Sequence, residues 1–569
     1  MVSNAKLSPI ESSIHGIRYI ADSNSHKSVR IFWLIIFLLS IIGFSFYVYG
    51  VYSKWMLAPD IGITANLKPI REIPFPAVTI CSPMNIKNEF ANFNKVYNEL
   101  NINGTINAEE LINDKQKMIS AIVQSCDPNL STFFTKIIKQ SASQDLIDHL
   151  IRGSFKSEEA FFRCYLNSNF KKNCSEMFNR IVTDDGICYS YNMQGYNTLF
   201  NKNSVDSDFD LFYRKGIKNI AKDHSVFFDE DNEEVEWTLQ QGYNSNDDTV
   251  FPFRIISKNS IEFIMMHPKT ETNNYCPALR NSYKIIFHMP NEIPTKFHDY
   301  IYSSMGSQFL ISMTAKHFMT DSSLKKHPPE IRGCYFENER KLKFFKSYTR
   351  AHCDLECLTN HTLKICGCVR FSMPRSSKTS VCDLDETACY NDAMRHWPHD
   401  VENSLNFAVP CNCYPPCNNI KYSTKLIDHV NIDSLSNAAS FHTLRNHSNS
   451  DEIITSIKII FEEFLIDEQT NFVAYKLENF IAECGGLLGL FMGCSMLSIV
   501  ELFYLCFKKI TDKKNRYSNT KHLKNQNFSR HNRVFCSQSM RVRNLQKRNY
   551  NFKRQTKIKK VIPFREVTE

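Results

Sequence analysis

Two uncharged apolar runs frame the chain. The first, Ile31 to Ser53, is 23 residues long; the second lies in Phe480 to Phe507, where the seventeen residues Cys484 to Val500 carry no charge. At ~1.5 Å of helical rise per residue, each can cross ~30 Å of hydrocarbon, so each predicts a transmembrane helix. The first is longer than a signal-peptide core and lacks a small-x-small cleavage site. Between them the pattern shortens. PFPAVTIC (Pro74 to Cys81), SYKIIFHMPNEIP (Ser282 to Pro294) and the partly alternating SIKIIFEEF (Ser456 to Phe464) predict strands. Residues 85–160 place Leu111, Met118 and Ile122 at helical spacing, which predicts surface helices of an outer lobe. Beyond Lys508 no periodicity is sustained.

Charge orients these elements. The chain carries a formal +9, but nineteen Lys/Arg against three acids follow Phe507, so residues 1–507 are net negative. Lys27 and Arg30 before the first run, and the basic tail after the second, place both ends in the cytosol by the positive-inside rule. The expected organisation is a cytosolic N-terminus (1–30), a first transmembrane helix (31–53), an extracellular domain (54–479), a second transmembrane helix (480–507) and a basic cytosolic tail (508–569). Such a tail beside a membrane suits anionic lipids; its tether argues against nucleic acid. The acidic run Asp229 to Glu236 is expected to be a solvated loop, with cation enrichment as its sharper alternative.

Cysteine usage agrees with this topology. Sixteen of the twenty cysteines lie in 54–479, an even number for an oxidising compartment; Cys484, Cys494, Cys506 and Cys536 do not. The densest part runs from Cys353 to Cys417. Closely spaced cysteines also ligate zinc, but extracellular thiols oxidise and no Cys-x2-Cys pair occurs, so a disulfide framework is expected and no bound metal. Asn103, Asn129, Asn173, Asn360 and Asn446 are extracellular Asn-x-Ser/Thr sites, whereas Asn527 would be cytosolic and bare.

The second run carries the candidate chemistry. Gly485, Gly486, Gly489 and Gly493 recur at three- and four-residue spacing, which lets helices approach closely, and Glu501 is an ionisable group within an apolar segment. GGLLGLFMGCSMLSIVE resembles the second transmembrane segment of the degenerin/epithelial sodium channel superfamily. PFPAVTIC, FNRIVTDDGICYSYN (Phe178 to Asn192), SYKIIFHMPNEIP, IRGCYFENE, Tyr348, the nested cysteine spacing and His15-Gly16 extend the resemblance over most of the chain, and Trp237 to Tyr243 is similar to the insect pickpocket subgroup.

That resemblance implies an α+β membrane protein: a trimer whose subunits each have two transmembrane helices flanking a large disulfide-rich extracellular domain of the acid-sensing/epithelial sodium channel type. It implies a selectivity filter at Gly493, Cys494 and Ser495, a blocker site at Gly489, a gate-side small residue at Ala482 and a cytosolic gating motif at His15 and Gly16. It also implies the pairs Cys81–Cys188, Cys164–Cys174, Cys334–Cys417, Cys353–Cys413, Cys357–Cys411, Cys366–Cys389 and Cys368–Cys382, leaving Cys126 and Cys276 as a guessed pair. The implied function is a plasma-membrane, amiloride-sensitive, sodium-preferring channel subunit in a homo- or hetero-trimer, with an unknown extracellular ligand as one candidate trigger. Ile331 stands where proton-gated relatives carry an aromatic, which lowers the expectation of proton gating. The alternative is a non-conducting adhesion or receptor ectodomain on two helices, which leaves Glu501, the tripeptide and His15-Gly16 unexplained. No nucleophile, base and oxyanion set stands out, so an enzyme is not expected, and no cofactor is implied.

Overall fold

The computed structural model describes residues 16–511, except 23–24, 58, 85, 104–112, 127–129, 132–133, 136–145, 167–168, 172–173, 203, 206–238, 240–241, 244–251, 255–259, 273–280, 396–410, 433–450, 496, 499, 502, 505–506 and 509–510. The chain divides into two compact units, 1–51 with 478–569, and 52–477.

In the first unit, helix α1 (Ile17–Ala21) precedes α2 (Lys27–Tyr52). The uncharged, mainly apolar run from Ile31 onward makes α2 a helix that exposes Leu39, Ile42, Phe46 and Tyr49. It continues as a π-helical turn over Ser53–Leu57. Among the described residues, Lys27–Leu57 is the one helix long and apolar enough to cross a membrane.

The second unit is a mixed α and β domain built on two sheets. The larger has the order β1 (Ile61–Pro69), β13 (Leu465–Val473), β10 (Ser307–Thr320), β12 (Glu452–Phe461), β7 (Ser260–Pro268), β3 (Phe161–Leu166) and β4 (Asn169–Lys171), with β11 (Asn419–Asn431) also on β10. Strand β10 is long enough to take β12 along one part of an edge and β13 along the next, both parallel, while β11 runs antiparallel on the other side. The smaller sheet runs β5 (Phe178–Thr183), β6 (Gly186–Tyr191), β2 (Ala77–Cys81), β8 (Ser282–His288), β9 (Tyr300–Ser304), all antiparallel.

Strand β2 shows why the fold closes where it does. It is buried on both faces: Val78 and Ile80 join a core with Phe75, Phe161, Phe178, Tyr191 and Phe263, while Ala77 and Cys81 join a second core. Phe161 stacks on Phe178 at 3.7 Å in the first. Each such aliphatic side chain contributes roughly 1.5–3 kcal/mol by leaving water, so the expected PFPAVTIC strand is central rather than peripheral. The second core packs under α3 (Phe93–Asn103), α4 (Asn113–Cys126) and α5 (Leu146–Gly153). Met118 and Ile122 are buried there, whereas Leu111 lies outside the described residues.

A third region, α6 (Arg350–Cys366) and α7 (Thr387–Arg395), is tied by sulfur. Thr349 caps α6 by accepting the His352 N–H at 3.1 Å, and Gly367 at φ +72° ends it, donating to Leu363 O. Cys353 and Cys357, four apart on one face of α6, bond to Cys413 and Cys411; Cys366 bonds to Cys389 on α7, Cys368 to Cys382, and Cys334 to Cys417. With Cys81–Cys188, directly opposite each other on β2 and β6, and Cys164–Cys174, these are the seven pairs the resemblance implies. Cys126 is disulfide-bonded; Cys276 lies outside the described residues.

Two strands nearest the apolar segments go beyond the sequence reading. Strand β1 intervenes between α2 and β2, and β13 follows β12 and leads into the second segment. They pair antiparallel from Ile61 with Val473 to Pro69 with Leu465.

Candidate pore segment

The second apolar segment is not one helix. Helix α8 (Leu477–Met492) begins with Glu478 in its first turn, where the helix dipole favours an acid, and stops at Met492. Gly493 sits at φ +63°, a left-handed backbone that side-chain-bearing residues rarely adopt, and donates its N–H to Gly489 O at 3.0 Å, closing the end as a left-handed cap. Gly493, Cys494 and Ser495 are outside any helix, and the described residues from Leu497 to Thr511 are again helical. Ser495 and Ser498 cap this restart reciprocally. Ser495 Oγ accepts the Ser498 N–H and Ser498 Oγ accepts the Ser495 N–H, each at 3.2 Å. The continuous helix expected over 480–507 is thereby corrected: apolarity specified the segment, but a glycine cap and a serine cap on either side of Cys494 divide it.

This division redistributes the predicted site residues. Gly493, Cys494 and Ser495 form the break. Cys494 is buried with its thiol 3.7 Å from Met492 O, while Ser495 is exposed, its hydroxyl committed to the cap. A Cβ built at Gly489 would meet Cys494 O at 3.7 Å, so Gly489 lies beneath the break; at Gly485 and Gly486 nothing among the described residues comes within 4 Å. Gly493 has left the helix, so it does not extend the stripe those three make. Ala482 is exposed on α8 and Glu501 on the second helical piece.

Helix α2 meets α8 just before the break. The Ser40 hydroxyl donates to Phe491 O, the rings of Tyr47 and Phe491 lie 5.6 Å apart, and a Cβ at Gly43 would come within 2.8 Å of the Phe491 ring. Gly43 therefore admits the ring that holds the end of α8. Sequence reading missed Ser40, Gly43, Phe491 and Ser498; a glycine and a hydroxyl on one face of an otherwise bulky apolar helix were the available signal.

His15 lies outside the described residues. Gly16 opens α1 at φ +89°, with its carbonyl accepting from Tyr19 and Ile20, and a Cβ there would meet Phe37 at 3.7 Å. Tyr19 stacks on Trp33 at 4.6 Å and Arg30 Nε donates to Ile20 O at 2.9 Å, so α1 lies back along α2. Of the glycosylation candidates, Asn360 is exposed on α6 and Asn103 ends α3, while Asn129, Asn173, Asn446 and Asn527, like Cys506, Cys536, the 229–236 run and Trp237, lie outside the described residues.

An apolar span, a disulfide-stapled mixed domain and an apolar segment opened at a small polar tripeptide define a membrane protein of the channel class. The sequence profile described as "Amiloride-sensitive sodium channel" matches residues 10–505, and the chain belongs to that family. It is a sodium channel protein of the degenerin/epithelial sodium channel type, a family of ion channels and not of enzymes. Pickpocket protein 28 of Drosophila melanogaster is 24% identical over 503 residues, covering 87% of this chain and 76% of the relative. Sodium channel protein Nach of Drosophila melanogaster is 20% identical, covering 87% and 85%, and acid-sensing ion channel 1B of Danio rerio is 23% identical, covering 91% and 79%.

Proposed function

We propose that this chain is a pore-forming subunit of a trimeric, amiloride-sensitive, sodium-preferring plasma-membrane channel, homomeric or mixed with related subunits. In this reading it spans the membrane twice, with 54–479 outside and both termini in the cytosol. The single observation that carries it is the break at Gly493 to Ser495. A helix end leaves carbonyls outside the helical ladder, and three such breaks around an axis would offer carbonyls and hydroxyls to replace part of an ion's hydration. The open stripe of Gly485, Gly486 and Gly489 would receive the neighbouring copies, Gly489 would lie in the blocker path, and Glu501 would face the inner path. His15-Gly16, membrane lipids and an extracellular ligand would act on opening.

Voltage clamp of cells expressing the chain, alone and with related subunits, tests this. Inward current that falls on sodium replacement and is blocked by amiloride is expected. Surface-delivered protein with no current in any combination supports the adhesion reading instead. Orientation is checked separately: Asn360→Gln should remove one glycosidase-sensitive mobility shift, and a glycan on Asn527 would reverse the topology.

A further inference from the structure

We propose that the Ile293–His352 hydrogen bond, with the Glu292–His298 pair beside it, is an acid-released latch joining the loop after β8 to the first turn of α6. The geometry carries this through tautomers. The His352 ring is completely buried and stacked on Phe345 at 3.9 Å. Its Nε2 accepts the Ile293 backbone N–H at 3.1 Å, and a backbone N–H cannot reverse its role. The ring proton therefore sits on Nδ1, 3.3 Å from Ser347 O. Adding a second proton would set N–H against N–H and break the bond.

The neighbouring imidazole is committed in the same way. His298 Nδ1 accepts the Thr295 N–H at 3.0 Å, so Nε2 carries the proton it donates to Glu292 at 3.2 Å. Glu292 also accepts the Met289 N–H, and His288 at the end of β8 donates from Nδ1 to Met289 O at 3.0 Å. Three imidazole rings and one carboxylate thus hold the eleven residues of loop 289–299. The other charged groups here are turned elsewhere: Asp299, Lys343, Lys346 and Arg350 are exposed, Asp354 faces Arg350 at 3.6 Å, Glu356 accepts the Lys343 and Phe344 amides, and the buried Lys284 of β8 is paired with Asp185 at 2.7 Å. Lys296, on the loop itself, is drawn to Asp184 instead, and β2 contributes only Thr79.

The sign follows from burial. Burial holds the His352 imidazole down to about 4 against the pull of Glu292, and His288 down to about 3. An opened latch returns His352 to the ordinary imidazole range, so the open form takes up a proton more readily between the two values. The latch is at full strength above pH ~6.5 and weakens as pH falls toward 4. Burial works against the Glu292 charge, but the hydrogen bond from His298 and the attraction of the His298, His352 and His288 rings together hold its carboxyl down to about 2, so its own protonation comes later. The Cys353 and Cys357 bridges keep α6 tethered, which confines the release to residues 289–299.

Hydrogen–deuterium exchange on the full chain in detergent, corrected for intrinsic exchange at each pH, tests the latch. In wild type the 289–299 peptide should lose at least about tenfold in protection between pH 6.5 and 4.5, while β10 stays flat. His352→Gln keeps an acceptor for Ile293 N–H without a titrating group, so its protection should be level across the range. Glu292→Gln removes the charge that favours the imidazolium in the closed form, so the loss should begin at the same pH as in wild type and continue to lower pH. Flat protection in wild type, equal loss in His352→Gln, or a loss in Glu292→Gln that levels off at the wild-type pH each overturns the proposal, and the wild-type and Glu292→Gln arms decide it if His352→Gln does not fold.

Discussion

Helix α2 and the segment that begins with α8 have similar apolar content and different backbones. Helix α2 runs unbroken from Lys27 to Tyr52, whereas α8 stops at Met492, turns through Gly493 and restarts behind the Ser495–Ser498 cap. Their contact lies at that difference: Ser40, Gly43 and Tyr47 of the continuous helix grip Phe491, the penultimate residue of α8. A regular helix satisfies its own backbone and can serve as a wall; an interrupted one exposes polar atoms and needs a wall to hold it. The unbroken backbone of the first helix is what lets Ser40, Gly43 and Tyr47 hold the end of the interrupted one.

The largest effect should come from removing the break's conformational permission. Gly493 at φ +63° has a left-handed backbone that β-branched residues rarely adopt, and a left-handed residue with a Cβ costs roughly 1–2 kcal/mol before branching is counted. Gly493→Val should abolish current while leaving surface delivery, measured by biotinylation, near normal. Wild-type current in this variant would mean the break is not the conducting feature.

The contrast was only partly legible in sequence. Composition marked both apolar runs, and the double burial of β2 matched its apolar string, interrupted only by Thr79. The break was hidden because Gly-Cys-Ser reads as small residues in a helix; only the φ of Gly493 and the reciprocal serine cap reveal it. Strands β1 and β13 were hidden for another reason. IGITANLKP and LIDEQTNFV lack clean alternation, most of their residues are solvent-exposed or half-buried, and each finds its partner about four hundred residues away, so no local window contains the signal. His288, His298 and His352 were likewise three isolated histidines until the loop after β8 folded over α6. The cysteine pairs became legible through resemblance alone, since spacing does not choose partners.

The wall should be next in sensitivity. A Cβ at Gly43 would stand 2.8 Å from the Phe491 ring, and filling that space typically costs about 1–3 kcal/mol through displaced neighbours. Gly43→Val should lower mature surface protein by several-fold, and Phe491→Leu in the same chain should restore part of it. Rescue would locate the effect in this contact; equal loss in the double variant would place it elsewhere in α2.

Ser495 separates cap from ligand. Losing an N-cap hydroxyl costs about 0.5–2 kcal/mol, and Ser495→Ala removes both the cap and any oxygen offered to an ion. Ser495→Thr keeps a hydroxyl that can accept the Ser498 N–H. The sodium-to-potassium permeability ratio should change in Ser495→Ala and stay closer to wild type in Ser495→Thr. Equal ratios in all three would leave the hydroxyl a structural cap with no part in selectivity.

The smallest effect on the chain itself, and the sharpest test of assembly, is expected at Ala482. The residue is exposed on α8, so two added methyl groups meet nothing buried in the subunit and should alter its stability by less than about 0.5 kcal/mol. Gly485 and Gly486, within the next turn, are open as well. If these small residues receive neighbouring copies, a bulkier side chain hinders the close approach a shut pore needs. Ala482→Val should then raise resting, amiloride-blocked current without changing surface delivery. Unchanged resting current, with wild-type channels active in the same cells, would show that no other subunit packs against this face of α8 when the pore is shut.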